Sequence, residues 1–327
     1  MNLSRLPTSP LDAVSDDAVA HRGICAVVVT HNRGQDVLHV LDSIVNQVEH
    51  IVIIDNASSD ATCTYLWQFA HAHPQRCHII EHAHNNLAKA QNLGIHYACM
   101  HGYEWVMLMD HDSIAKEGMV AQMLLRHHYH ASYQPIGMIV PNLIEQQSTR
   151  VARYVRMRSR WRYVRTPFED RAIFDDVMLA IASGSLIPTA VCAEIGAMDE
   201  SLCIDNVDFD FSLRVLRSGR KILAVRDAHL LHRLGACYDH HILGSTITTT
   251  NHQPMRRYYI YRNRVRLWLK HGGAFPCYVL FDLCAIAYDL FKISCFEANR
   301  FAKIKAIWHG IGDALRGRMG SAGASRY

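Results

Sequence analysis

Short apolar runs alternate with amphipathic stretches through the first 110 positions of the chain. Runs of this kind, rich in β-branched residues, are typical of strands that are buried on both faces, and they occupy 24–30, 51–54, 77–80 and 105–109. Helices are predicted between and after them, at 37–45, 61–72 and 86–101. This alternation predicts an α/β fold with a doubly wound, mostly parallel sheet flanked by helices.

The second half of the chain continues this pattern and then changes it. The further predicted elements are strands at 136–140, 185–187 and 221–225 and a helix at 208–218. From residue 256 the sequence favours helix, first basic and then aromatic. We therefore predict a flexible leader at 1–22, an α/β domain at 23–240 and a helical C-terminal appendage at 241–327.

Polar residues end three of the predicted strands. Thr30, Asp55 and Asp110 each follow an apolar run directly. Because ligands of open α/β sheets bind beyond the carboxyl ends of the strands, we expect these side chains to share one site.

Two carboxylates lie close together after the fourth strand, in the sequence Asp110-His111-Asp112. Carboxylates on alternate residues can reach one divalent cation, and oxygen ligands suit Mg²⁺ or Mn²⁺ bridging a diphosphate. A solvated turn gives the same short pattern, so the strand-end setting is what favours the metal site.

Composition narrows the class of protein. The chain has 327 residues, is 50% hydrophobic and carries a net charge of +4, which is lower than expected of a nucleic-acid-binding protein. Its ten cysteines form no C-x-x-C pair, which favours a reducing, cytoplasmic compartment. The leader has no apolar signal-peptide core, and no apolar run reaches the roughly 18 residues of a membrane span.

Eight short motifs in order resemble glycosyltransferase family 2, and most closely its rhamnosyltransferase branch. They are Val28-Val29-Thr30-His31-Asn32-Arg33, Ile53-Ile54-Asp55-Asn56-Ala57-Ser58, Ala90-Gln91-Asn92-Leu93-Gly94-Ile95, Met109-Asp110-His111-Asp112-Ser113, Ser183-Gly184-Ser185-Leu186-Ile187, Ile204-Asp205-Asn206-Val207-Asp208-Phe209-Asp210-Phe211-Ser212-Leu213-Arg214, Leu231-His232-Arg233-Leu234-Gly235 and Arg257-Tyr258-Tyr259-Ile260-Tyr261-Arg262-Asn263. They cover roughly 24–270. The resemblance implies a GT-A fold with a nucleotide-binding half at about 23–115 and an acceptor half at about 116–240.

The resemblance also implies a donor site built by the first half. Thr30, Asn32 and Arg33 would hold the nucleotide of a nucleotide-sugar donor. Asp55 would hydrogen-bond the pyrimidine base, with helix capping as the alternative role. Asp110 would face the ribose and the metal.

The remaining implied roles concern the metal and the diphosphate. Asp112 and His232 would bind Mg²⁺ or Mn²⁺, although His232 also fits an interior histidine. Arg262, together with Asn263, would shape the diphosphate or acceptor pocket, and a surface helix is the alternative for both.

Asp208 is the residue that the resemblance implies as general base. Asp205 and Asp210 are rivals, and capping is an alternative for Asp205. On a helix that begins near Asp205, positions 205 and 208 share a face and 210 points elsewhere. A carboxylate there would deprotonate the acceptor hydroxyl and give a single displacement with inversion.

These implications predict transfer of L-rhamnose from dTDP-L-rhamnose to a glycan or lipid-linked acceptor of an O-antigen-type lipopolysaccharide. A non-catalytic nucleotide-sugar-binding or scaffold protein of the same machinery is the alternative. A nucleotidyltransferase is disfavoured, because 30–33 is not the Gly-rich loop that such enzymes carry after the first strand.

The aromatic tail adds an expectation about partners. Asp282 and Asp289 are seven residues apart and share one helical face, and basic residues follow at 303, 305, 316 and 318. This pattern suits an interfacial helix in peripheral contact with the inner face of the cell membrane. A helical pair that packs on the catalytic domain, or on a second subunit of a homo-oligomer, is the alternative.

Overall fold

The computed structural model describes residues 23–146, 151–168, 171–232, 238–242 and 245–321. The leader predicted at 1–22 lies outside the described residues. The strands are β1 (Ile24–Thr30), β2 (His50–Asn56), β3 (Cys77–His82), β4 (Trp105–Asp110), β5 (Ile114–Ala115), β6 (Ile136–Glu145), β7 (Tyr154–Ser159), β8 (Arg162–Thr166), β9 (Ile173–Phe174), β10 (Val177–Leu179), β11 (Ser185–Pro188), β12 (Lys221–His232), β13 (Tyr238–Ile242) and β14 (Ser245–Thr249). The helices are α1 (Val37–Ile44), α2 (Thr62–Ala72), α3 (Leu87–Met100), α4 (Met119–Ala131), α5 (Thr189–Ile195), α6 (Val207–Arg217), α7 (Pro254–His271), α8 (Pro276–Phe296) and α9 (Arg300–Leu315).

A nine-stranded sheet forms the centre of the α/β domain. Its order is β3-β2-β1-β4-β11-β6-β12-β5, and β9 also pairs with β12. Strands β1 to β4 are parallel and β12 is parallel to β6, whereas β11 is antiparallel to both of its neighbours. The predicted doubly wound, mostly parallel sheet is confirmed.

Strand β1 is buried on both faces because helices cover both sides of the sheet. Val27 and Val29 belong to the core shared with α3 and α6, whereas Ala26 and Val28 belong to the core shared with α1 and α4. Gly94 of α3 lies so close to β1 that a Cβ atom there would be 2.2 Å from a Val27 methyl carbon. The continuous apolar run of β1 therefore follows from its central position.

The order in which strands are added to the sheet reverses at β1: the chain first adds β2 and β3 on one side and then β4 on the other. The register places Thr30 beside Asp55 and Val29 beside Asp110. The three predicted strand-end residues therefore meet at a topological switch point, where open α/β sheets bind ligands.

The second half departs from the sequence prediction at two places. Strand β12 runs from Lys221 to His232, well beyond the predicted 221–225, because it continues to pair with the equally extended β6. Helix α6 begins at Val207, after left-handed residues at 205 and 206 (φ 60° and 62°). Asp205 consequently lies outside the helix, and the shared helical face predicted for 205 and 208 does not form.

Three helices complete the described chain. The hairpin of β13 and β14 straddles the domain boundary predicted at 240, and α7, α8 and α9 follow it. Helix α7 packs along α9 and buries Arg262 and Asn263. Among the described helices, none is both long and apolar enough to cross a bilayer.

Candidate active site

Two carboxylates and an imidazole converge at the switch point. Asp110 ends β4, Asp112 lies in the turn that follows, and His232 ends β12. One ligand atom from each lies within 4.8 Å of the others. The spacing and the oxygen-rich donor set fit a single divalent cation such as Mg²⁺ or Mn²⁺.

Two buried serines support this cluster. The Ser113 hydroxyl lies 2.9 Å from His232 Nδ1. Ser183 donates a hydrogen bond to Ser113 (2.8 Å) and accepts one from the main-chain N–H of Asp110 (3.1 Å). When His232 Nδ1 donates its proton to Ser113, Nε2 is left free to bind a metal. Sequence reasoning missed both roles, although the two serines lie inside the quoted motifs.

Burial affects the pKa of one carboxyl group of this cluster. Burial raises the pKa of Asp110 to about 6, the charge of His232 opposes the rise, and the charge of Asp112 adds to it. A divalent cation would remove this penalty, because a nearby positive charge favours the ionised carboxylate. The carboxyl pair is therefore suited to a bound cation.

Polar atoms without a partner lie at the ends of β1 and β2. Among the described residues, the buried Thr30 Oγ1 and Asp55 Oδ1 have no hydrogen-bond partner. Leaving such an atom unpaired costs about 1–3 kcal/mol, and a ligand that supplies the partner would offset it. The other oxygen of Asp55 accepts from the N–H of Ser58 (3.1 Å), whereas Asp60 accepts from the N–H of Thr62, which begins α2 (3.0 Å). Asp60, rather than Asp55, thus binds a main-chain N–H at the start of α2.

The loop after β1 is fastened to the loop after β2. The main-chain N–H of Asn32 donates to Ser58 Oγ (3.0 Å), and its side-chain oxygen accepts from the N–H of Ser59 (2.8 Å). Asn32 adopts a left-handed conformation (φ 48°) that brings these groups together. Its side chain therefore holds the loop in shape.

Arg33 and His111 complete this attachment. The N–H of Arg33 donates to Thr62 Oγ1 (2.8 Å), while its guanidinium lies 3.6 Å from Asp36. The N–H of His31 donates to His111 Nδ1 (3.2 Å). The central residue of the Asp-His-Asp sequence thus links the β4 end to the β1 loop.

Asp208 lies in the first turn of α6, half-buried. Burial raises its pKa to about 7, the N–H of Phe209 opposes the rise, and the charge of Asp110 adds to it. A carboxyl group with a pKa near neutrality is suited to accept a proton at physiological pH.

The two rival aspartates are paired with cations. Asp205 forms an ion pair with Arg256 at 3.0 Å. Asp210 is fully buried and bonded to Arg214, Lys270 and His271, each at 2.8 Å. Burial alone would raise the pKa of Asp210, but the hydrogen bonds from His271 and Lys270 and the charge of Arg214 lower it. Of the three aspartates, Asp208 is the one without a cation within 4 Å among the described residues.

Arg262 and Asn263 hold the loop that leads into α6. The Arg262 guanidinium is buried and donates to main-chain carbonyls at 201, 202 and 320. The Asn263 amide donates to carbonyls at 202, 204 and 205, at 2.8–2.9 Å. This placement does not favour direct contact between Arg262 and a diphosphate; both side chains hold the loop that precedes α6 instead.

Arg256, near the start of α7, is more accessible to solvent than Arg262. Its side chain is 47% exposed, and its charge lowers the pKa of Asp110. Sequence reasoning overlooked Arg256, although it directly precedes the motif at 257–263.

A cleft of about 1790 Å³ opens beside the cluster. Its lining begins at His232 and Ser183, includes Phe209, and reaches Phe281 and Tyr288 on α8. Typical small-molecule pockets measure about 300–1,000 Å³, so this cleft has room for an extended substrate.

Comparison with known proteins identifies the family. The family model for Glycosyl transferase family 2 matches residues 25–196. The dTDP-rhamnosyl transferase RfbF of Shigella flexneri is 26% identical over 320 residues, which cover 93% of this chain and 98% of that protein. The galactofuranosyltransferase GlfT1 of Mycobacterium tuberculosis is 28% identical over 262 residues, covering 74% and 80% of the two chains.

Solved structures match the fold. GalNAc-T7 with UDP, GalNAc and Mn²⁺ aligns with a TM-score of 0.56 at 15% identity, covering 75% of this chain and 47% of that one. Staphylococcus aureus TarS aligns with a TM-score of 0.52 at 13% identity, covering 75% and 39%. The chain thus spans less than half the length of these two proteins, and the predicted GT-A fold is confirmed. Since the family match extends over more than half of the 327 residues, the chain belongs to glycosyl transferase family 2.

Proposed function

We propose that the protein is an inverting glycosyltransferase that moves L-rhamnose from dTDP-L-rhamnose to a glycan or lipid-linked acceptor of an O-antigen-type polysaccharide. The observation that carries the catalytic part is the convergence of Asp110, Asp112 and His232 within 4.8 Å, next to Asp208 with its pKa of about 7. Rhamnose is supported by the motif resemblance and by RfbF at 26% identity. GlfT1, by name a galactofuranosyltransferase, has a similar identity, so the sugar needs direct measurement.

In this proposal the unpartnered atoms of the switch point receive the nucleotide. Asp55 Oδ1 accepts a hydrogen bond from the pyrimidine N–H, and Thr30 Oγ1 lies in the same wall. The loop held by Asn32 and Arg33 shapes the pocket, and Asp110 faces the ribose. Arg256, with nearly half of its side chain exposed, is better placed than Arg262 to neutralise the diphosphate.

A divalent metal held by Asp112 and His232, with Asp110, would neutralise the charge that develops on the leaving diphosphate. Asp208 accepts the proton of the acceptor hydroxyl, while the hydroxyl oxygen of the acceptor forms a bond to the anomeric carbon. The bond from that carbon to the diphosphate oxygen breaks on the opposite face, so the configuration inverts. A positioned base contributes about 10²–10⁴-fold to such a step.

The acceptor would lie in the large cleft, with its reacting hydroxyl near Asp208. We also propose that the protein works in the cytoplasm at the inner face of the cell membrane, where a lipid-linked acceptor would be presented.

Donor binding and slow donor hydrolysis, measured with a panel of nucleotide sugars and Mg²⁺ or Mn²⁺, test the proposal. We expect a metal-dependent preference for dTDP-L-rhamnose that Asp112→Ala abolishes. Asp42→Ala is the control, since Asp42 is an exposed aspartate on α1.

Other results would change the proposal in defined ways. Preference for another sugar keeps the enzyme and replaces the donor. Metal-independent binding without hydrolysis or transfer supports a non-catalytic scaffold. Equal effects of Asp112→Ala and Asp42→Ala remove Asp112 from the site.

A further inference from the structure

The solvent-facing side of α8 is apolar. Leu280, Leu283, Tyr288 and Phe291 are 42%, 46%, 51% and 48% exposed. At 100° per residue they fall within one arc of the helix, which also contains the exposed Cys284, Ser294 and Cys295. A surface helix of a globular protein normally presents polar residues on this side.

The charged residues of α8 face the protein instead. Asp282 lies 3.4 Å from Arg264 of α7 and accepts from the Trp268 indole N–H (2.8 Å). Asp289 lies 2.8 Å from Arg257 of α7. The usual arrangement of a surface helix is therefore reversed in α8. Its charged residues face α7 and form ion pairs there, and its apolar residues face solvent.

Helix α9 lies beside α8, since Ile286 and Leu290 of α8 share an apolar cluster with Ile307 of α9. Phe301, Trp308 and Leu315 are spaced seven residues apart, so they form one stripe, and they are 79%, 67% and 66% exposed. Its inner side buries Lys303, which pairs with Glu297 at 2.8 Å. We name Leu280, Leu283, Phe291, Phe301, Trp308 and Leu315 together the outer surface.

Within 276–321 the exposed charged side chains have one sign. All four acidic residues of 276–321 face inward or are buried: Asp282, Asp289, Glu297 and Asp313. The exposed charged residues of the same segment are Arg300, Lys305, Arg316 and Arg318. Exposed apolar side chains edged by cations complement an anionic lipid headgroup layer, which accepts both.

This charge pattern disfavours a second copy of the chain as the partner. In a twofold dimer the same patch meets itself, so cations would face cations without an acid from 276–321 to pair with them. We infer that the outer surface docks on an anionic lipid bilayer, with α8 and α9 lying in the interfacial plane. Since Phe281 and Tyr288 line the large cleft, docking would bring the α8 end of that cleft close to the headgroups.

Vesicle flotation of the full chain tests this inference without donor or acceptor, so its failure is distinct from failure of the proposed chemistry. We expect the parent to bind vesicles of phosphatidylcholine and phosphatidylglycerol in equal parts, and to bind pure phosphatidylcholine much less. The double variant Leu283→Glu/Phe291→Glu should bind at least about tenfold more weakly, because burying each side chain stabilises by about 1.5–3 kcal/mol. Tyr133→Glu and Met100→Glu are matched controls at sites that are 87% and 70% exposed, and both should bind like the parent.

The cations give a second arm. Lys305→Gln and Arg316→Gln should each weaken binding to the anionic vesicles about fivefold and leave binding to neutral vesicles unchanged. Added salt should reduce the difference.

A third measurement does not depend on the folding of the glutamate variants. Brominated lipids in the anionic vesicles should quench part of the tryptophan fluorescence of the parent, and Trp308→Phe should remove that part.

Several outcomes overturn the inference. The first is that the parent fails to bind anionic vesicles in flotation. The second is that Tyr133→Glu loses as much vesicle binding as Leu283→Glu/Phe291→Glu. The third is that brominated lipids quench the fluorescence of Trp308→Phe as strongly as that of the parent. A parent dimer that Leu283→Glu/Phe291→Glu dissociates, without vesicle binding, would show that a second copy covers the outer surface.

Discussion

The strand-end site and the C-terminal helices α7–α9, which we call the helical layer, both contain buried or half-buried carboxylates, but the helical layer pairs them with protein cations. The site has four carboxylates without an ion pair to a protein cation. Among the described residues, the cluster imidazole of His232 lies beside two of them, and no Lys or Arg nitrogen lies within 4 Å of Asp55, Asp110, Asp112 or Asp208. In the helical layer the carboxylates are paired, as Asp289 and Glu297 are with Arg257. Removing a charge from water is costly unless a counter-charge is supplied.

This contrast indicates where a ligand is needed. Burial raises the pKa of Asp110 to about 6 and of Asp208 to about 7. At Asp210 burial acts in the same direction, but hydrogen bonds from His271 and Lys270 lower the pKa overall. Protein cations pair with Asp210, Asp289 and Glu297, whereas in our proposal the carboxylates of the site serve a metal, a nucleotide and a transferable proton.

Asp208→Asn should lower kcat by about 10²–10⁴-fold, because the amide keeps the shape but cannot accept a proton. Donor binding should stay unchanged, as measured by calorimetry beside a steady-state transfer assay. Asp205→Asn is the control, since Asp205 is already paired with Arg256, and it should lose much less. If Asp205→Asn loses more than Asp208→Asn while donor binding stays unchanged, the base is Asp205.

Asp210→Ala should lower the free energy of unfolding by about 3–5 kcal/mol, because it leaves Arg214, Lys270 and the buried His271 without their shared partner. Urea unfolding followed by circular dichroism measures this. Glu194→Ala, which removes an exposed pair with Arg220, should cost less than about 1 kcal/mol.

Asp210 also makes the stability of the protein depend on pH. Since its folded pKa lies below the ordinary 3.8, its contribution is present above pH 3.8 and is lost as the pH falls toward the folded pKa. Parent and Asp210→Ala should therefore converge in stability in acid, and a constant difference would contradict the pairing account.

Asp55→Ala should weaken dTDP binding by roughly 10–150-fold, which corresponds to one hydrogen bond of about 1.5–3 kcal/mol to a charged acceptor. Calorimetric titration measures the affinity. Inorganic pyrophosphate binding should not change, because Asp55 would contact the base alone. An equal loss for both ligands would indicate a collapsed pocket.

Ser113→Ala should weaken metal binding by about 10–100-fold, since it removes the hydrogen bond that orients His232. Titration with Mn²⁺ followed by electron paramagnetic resonance measures this. Ser185→Ala is the control: Ser185 is equally buried and its hydroxyl has no partner in the described chain. Equal affinities of Ser113→Ala and the parent would exclude the serine from the metal site.

The pH profile of kcat/KM should rise about tenfold per pH unit in acid and level off above about 7. Burial raises the pKa of Asp208 to that value, against the N–H of Phe209, and only the deprotonated carboxylate can act as base. A rate profile that is flat through neutral pH would remove Asp208 from proton transfer.

The pattern of apolar and polar residues was enough to predict the sheet and the edge at which the site lies. The apolar runs at 24–30 and 105–109 predicted β1 and β4 closely, because a strand buried on both faces tolerates few polar residues. Thr30, Asp55 and Asp110 could be placed at one edge, since parallel strands end together. The family followed from the motifs at these ends.

Tertiary structure decided which polar residue has which partner. Arg256 and Arg262 belong to the same basic helix, yet only the packing of α7 buries Arg262 and leaves Arg256 exposed. The same applies to α8, where the positions of Asp282 and Asp289 were visible in the sequence but the side facing α7 was not. Periodicity shows which residues share a face, but contacts between elements distant in the chain decide whether that face is paired, empty or exposed.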